Sequence, residues 1–88
     1  MKKVYRLKYV ITAKIQGERK PRPINESVEL PQEMTGLSAT FLLEYARTMA
    51  LSKKVFKEVY DVRYAEIQTG IEFEGTTFWS EEGQDVRE

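Results

Sequence analysis

The chain has neither cysteine nor histidine among its 88 residues. Without cysteine there is no disulfide staple and no thiolate-bound zinc. Without histidine the usual proton shuttle and the imidazole metal ligand are missing. The sequence also lacks a glycine-rich phosphate loop and a nucleophile elbow. Only carboxylate, hydroxyl or lysine chemistry remains open, so the chain reads as a non-enzyme with no cofactor and no metal. No stretch approaches the roughly 20 apolar residues of a membrane span. The basic start, Met1 to Tyr9, has no apolar run long enough for a signal peptide. The expected setting is the cytoplasm, or a host's cytoplasm if the source is viral. Internal repeats and low-complexity segments are absent as well.

What is present suits one small folded domain. Hydrophobic residues make up 41% and charged residues 32%. A chain this short builds a marginal core, which must here be aliphatic and aromatic, so association with another chain is a natural expectation. The net charge is zero, yet unevenly spread. Residues 1–23 carry eight bases against Glu18, and residues 66–88 carry seven acids against Arg87. A basic front and an acidic end fit a nucleic-acid site flanked by an acidic tail, or two ends that neutralise each other in the fold.

The run from Ser38 to Leu51 has the 3.6-residue rhythm of a helix. Leu42, Ala46, Met49 and Ala50 share one face, and Ser38 can cap the first turn. The helix is expected to end near Ser52. Residues 4–15 alternate with period two, which predicts a strand with Tyr5, Leu7, Tyr9 and Ile11 inward and Arg6, Lys8 and Lys14 outward. Gly17 to Pro23 reads as a basic connection, and Ile24 to Leu30 as a second strand returning along the first. A third strand is expected over about 57–67 and a turn at Gln68-Thr69-Gly70. A fourth strand then takes Ile71 to Trp79, with Gly75 as a bulge or a tighter turn. Ser80 to Glu88 reads as a frayed acidic tail beyond a domain of residues 1–79. The expected fold is therefore α+β, in ββαββ order, an antiparallel sheet with one helix packed on one face. Its core would hold Tyr5, Leu7, Tyr9, Ile11, Leu42, Ala46, Met49, Phe56, Val62, Ile71 and Phe73.

Three features invite a functional reading. Glu72 and Glu74 would lie about 7 Å apart on one strand face, a spacing that could hold Mg²⁺ with a phosphate ligand. The plainer reading is a solvated strand face, and the same holds for Glu81 and Glu82. Trp79 is a candidate contact residue if exposed, and otherwise closes one end of the core. The basic hairpin of residues 14–22 supplies Lys14, Arg19, Lys20 and Arg22, with Arg6 and Lys8 on the same strand. Such a patch can meet an acidic protein surface, neutralise phosphates, or merely keep a strand edge soluble. If the first strand neighbours the last, Arg6 and Lys8 would instead face Glu72 and Glu74.

Size and missing chemistry together point to a non-enzymatic protein-protein interaction module. Adaptors, inhibitors and accessory proteins, including those of phages and mobile elements, are of this kind. The binding residues would be Lys14, Arg19, Lys20, Arg22 and Trp79. The partner would be another protein, with an acidic surface or a second copy forming a homodimer. The alternative is a nucleic-acid-binding protein that uses the basic hairpin.

Overall fold

The computed structural model describes residues 1–87. Its elements run β1 (Lys2–Ile15), β2 (Arg22–Glu29), a 3₁₀ turn (Gln32–Met34), α1 (Ala39–Leu51), β3 (Phe56–Phe73) and β4 (Thr76–Asp85). The four strands make one antiparallel sheet in the order β2-β1-β3-β4. The architecture is α+β, and the order differs from ββαββ by the 3₁₀ turn that enters between β2 and the helix. Pro31 opens that turn, and the Met34 amide closes it on the Pro31 carbonyl at 2.9 Å.

The helix forms where its rhythm places it. Ser38 is the N-cap, its hydroxyl accepting from the Phe41 amide at 3.4 Å. Leu42, Ala46 and Ala50 are buried against the sheet, while Met49 is only half-buried. The sheet answers with Leu7, Tyr9, Ile11 and Ala13 of β1 and with Val59, Ala65 and Ile67 of β3, all buried. Tyr5, Phe56 and Val62 pack at the margin of this core. Small residues on the helix face let the two layers approach, and the larger aliphatic and aromatic side chains of β1 fill the gap.

Four expectations need correction. Gln68-Thr69-Gly70 is not a turn, because β3 runs straight through it as one strand of 18 residues. At about 3.3 Å per residue a straight strand of that length would span roughly 56 Å. The molecule is only 44 Å long, so β3 bends, with register shifts against β1 around Ile11 and Lys14. The real reversal is Glu74-Gly75, with φ of 50° and 80°, a two-residue link between Phe73 and Thr76. Positive φ at both central residues matches the twist of a hairpin, and glycine accepts it freely.

Second, Ile71 and Phe73 are not core. They follow Ala65, Ile67 and Thr69 on the helix side of β3, but α1 does not reach them and both are exposed. Third, the expected frayed tail from Ser80 onward is ordered at least to Val86. β4 continues to Asp85, Val86 is buried, and its amide donates to the Ala65 carbonyl at 2.9 Å. Backbone pairing holds a segment whose side chains gave no apolar signal; Glu88 lies outside the described residues. Fourth, Pro23 sits inside β2, opposite Thr12. An edge strand tolerates proline where the missing N–H would have faced solvent.

Candidate interaction surfaces

The antiparallel pairing of β1 with β3 gives the sheet two contrasting ends. At one end lie the β1–β2 connection and the start of β3. The Gln16 amide donates to the Val55 carbonyl at 2.9 Å, which brings residues 53–58 beside the basic hairpin. The cluster therefore gathers seven bases, Lys14, Arg19, Lys20, Arg22, Lys53, Lys54 and Lys57, against Glu18, Glu26 and Glu58. Two of the bases are paired. Arg22 holds Glu18 at 3.0 Å, and Lys53 holds Glu26 at 2.5 Å. Arg19 and Lys20 are exposed on the connection and make no ion pair among the described residues. Arg22 is exposed as well, but as the first residue of β2 and not on the connection.

Lys54 and Lys57 were absent from the sequence-based site. They lie more than thirty residues from Arg19, and only the pairing of Ile15 with Phe56 and Lys14 with Glu58 joins them to it. Tyr60 shares this region. Its hydroxyl donates to Glu58, and that hydrogen bond, with smaller contributions from burial and charge, raises its pKa.

Trp79 does not belong to this cluster. It lies on β4, toward the opposite end, on the face of the sheet that the helix leaves open. Its ring covers Gly70, where a Cβ would stand 2.6 Å from Trp79 Cε3. The Arg6 guanidinium also lies over the ring, its Cζ 4.2 Å from the ring centroid. Trp79 thus contacts a glycine and a guanidinium, and it closes no part of the core beneath the helix. Arg6 Nε also donates to Gln68 Oε1 at 2.6 Å, and Gln68 donates onward to the Ser80 carbonyl. That last bond anchors a bulge in which Ser80, Glu81 and Glu82 intervene between the pairs Gln68–Gly83 and Gly70–Trp79.

The rest of the open face neutralises itself. Lys8 lies 3.8 Å from Glu66, its partner across the ladder. The Tyr64 hydroxyl lies 3.0 Å from both Glu66 and Asp85, and these two bonds push its pKa up to about 12. β1 neighbours β3 and not β4, so Arg6 and Lys8 meet Gln68 and Glu66; Glu72 lies opposite Lys2 instead. Glu74 occupies the hairpin turn, so Glu72 and Glu74 do not form a pair on one strand face. Among the described residues no group of three or more acidic side chains is placed to hold a metal ion.

The second end is apolar. Beyond the helix, the β3–β4 hairpin leaves Ile71 47%, Phe73 50% and Phe78 62% exposed. Ile71 and Phe78 are ladder partners, so they stand side by side on the helix side of the sheet. Beside them a hollow of about 420 Å³ is lined by Lys2, Lys3, Tyr5, Pro31, Tyr45 and Glu72. No helix of the described residues is long and apolar enough to cross a membrane. Comparison with protein-family models, with curated proteins and with solved structures finds no match to the chain.

Proposed function

We propose that the chain is a non-enzymatic protein-interaction module that presents its basic end to an acidic surface on another protein. The observation that carries this reading is the gathering of seven bases from two distant segments around three acids. Arg19 and Lys20 are exposed there and have no ion pair among the described residues. Clustered, unneutralised charge steers association and rejects wrong partners, while each separate contact adds little affinity.

Nucleic acid is the second reading, since the same charges could neutralise phosphates. Single-stranded binders usually add aromatic platforms on which bases stack. Trp79 is remote from the bases and already occupied by Arg6, which favours the protein partner.

The test compares the wild type with the Arg19→Ala/Lys20→Ala/Arg22→Ala variant in two assays. One is capture from a nuclease-treated lysate of the source cells, and the other is binding to a generic DNA duplex at physiological salt. The expected result is a captured protein that the variant loses, with no duplex binding by either form. Duplex binding by the wild type that disappears in the variant would transfer the reading to nucleic acid. Equal behaviour of both forms in both assays would reduce the basic end to a solubility device.

A further inference from the structure

The apolar end has no part in the proposal above and makes its own demand. Ile71, Phe73 and Phe78 occupy the sheet face that α1 covers farther along, where Ala65 and Ile67 are buried. The sequence therefore continues a core-facing pattern onto a surface with no covering element among the described residues. Exposed apolar residues scattered singly are ordinary, but a contiguous group with a charged rim marks an interface.

The rim indicates what covers it. Lys3 stands on the β1 side, the ladder partner of Ile71 on the same face. Glu74 stands in the hairpin turn at the far border of the patch, while Lys2 and Glu72 face each other on the opposite side of the sheet. One base and one acid thus flank the apolar patch, and a uniformly acidic or basic partner would be repelled by one of them. A second copy would not. A two-fold axis passing between Lys3 and Glu74 sets the lysine of one copy against the glutamate of the other. Such self-complementarity is what an isologous interface requires. The zero net charge of the chain also removes the long-range repulsion that keeps highly charged proteins apart. The alternative route, pairing β4 along its whole length with a second β4, would crowd Glu81 and Glu82 of both copies around the dyad. The bulge at Ser80–Glu82 further blunts that edge.

We infer that the chain forms a two-fold homodimer through the helix-side face of the β3–β4 hairpin. Ile71, Phe73 and Phe78 form the centre of the contact, and the hollow beside Tyr5 receives the partner's rings.

Sedimentation equilibrium of the full chain tests this between about 1 µM and about 1 mM. The mass should rise with concentration from 10.3 kDa toward twice that value. Phe73→Ser/Phe78→Ser should weaken association by about tenfold or more, with an unchanged far-ultraviolet circular dichroism spectrum. Lys3→Glu and Glu74→Lys should each associate less than wild type alone, and their equimolar mixture should recover the dimer. That recovery holds even if the serine variant folds poorly. A wild type that stays at 10.3 kDa throughout would overturn the inference. So would a dimer that the serine substitutions leave intact, or a charge-swapped mixture no more dimeric than its components.

Discussion

The two ends of the sheet are built from the same strands, yet they solve opposite problems. At the basic end the chain collects like charges that repel one another and must be held by backbone pairing. Gln16 to Val55 and Lys14 to Glu58 do this across about forty residues. At the apolar end the backbone is a single tight hairpin, Phe73 to Thr76, and the unsolved problem is exposed surface. Between them lies the core under α1, where neither problem exists. A small domain with one helix can cover only part of a long ribbon. What extends past the cover becomes either charged, as at the first end, or a contact face, as at the second.

The largest expected effect removes the distinction between the ends altogether. Leu42→Ala opens a cavity under the helix and should cost about 2–5 kcal/mol, a large part of what holds a domain of this size. Leu43 is only half-buried, so Leu43→Ala should cost clearly less. Chemical denaturation of the two variants checks the order; the reverse order would mean that the other face of α1 meets the sheet.

Gly70→Val comes next. Its Cβ would collide with the Trp79 ring, which Arg6 also contacts. Overpacking of this kind costs about 1–3 kcal/mol, and tryptophan fluorescence should shift as the ring is displaced. An unchanged spectrum and melting curve would show that the ring does not rest on Gly70.

A third prediction concerns alkaline pH. Burial, then the charge of Glu26 and the neighbouring Tyr45, push the Tyr9 pKa up to about 12. Hydrogen bonds to Glu66 and Asp85 do the same for Tyr64. A tyrosine raised in the folded state favours folding while it is protonated. Its contribution is complete below the unfolded value of about 10 and is lost as pH rises through about 12. Ultraviolet titration should therefore show Tyr9 and Tyr64 ionising late, with Tyr60 also delayed by its hydrogen bond to Glu58. Tyr64→Phe should remove one late ionisation. Tyr9 and Tyr64 ionising near pH 10 in the folded protein would contradict both assignments.

The smallest effect belongs to the basic end. Arg19→Ala, Lys20→Ala and Arg22→Ala should each change stability by no more than about 0.5 kcal/mol. Arg19 and Lys20 pair with nothing among the described residues, and the Arg22–Glu18 bridge is exposed. Thermal melting of the single variants is a sufficient check, and a loss well above that size would mean that the hairpin charges hold the fold.

Local pattern disclosed the parts of this molecule that local pattern controls. The alternation from Tyr5 to Ala13 and the spacing of Leu42, Ala46 and Ala50 led directly to β1, α1 and the core between them. Gly70 misled because glycine usually signals a turn; here it is glycine because Trp79 needs the space of a missing Cβ. A better signal was available, since Ala65, Ile67, Thr69, Ile71 and Phe73 keep one parity straight through it. The extension of β4 past Trp79 was hidden because an edge strand held by main-chain bonds requires no apolar alternation. The basic hairpin was legible as a run of charges. The contribution of Lys54 and Lys57 was not, since it depends on which strands pair and in what register.

The separation of the two ends can be tested by one crossed measurement. Sedimentation mass and nuclease-resistant partner capture are recorded for the wild type, the Arg19→Ala/Lys20→Ala/Arg22→Ala variant and the Phe73→Ser/Phe78→Ser variant. The basic-end variant should keep the wild-type dimer and lose the captured partner; the apolar-end variant should be monomeric and keep it. Two variants that lose both properties together, or neither, would contradict the assignment of separate contacts to the two ends.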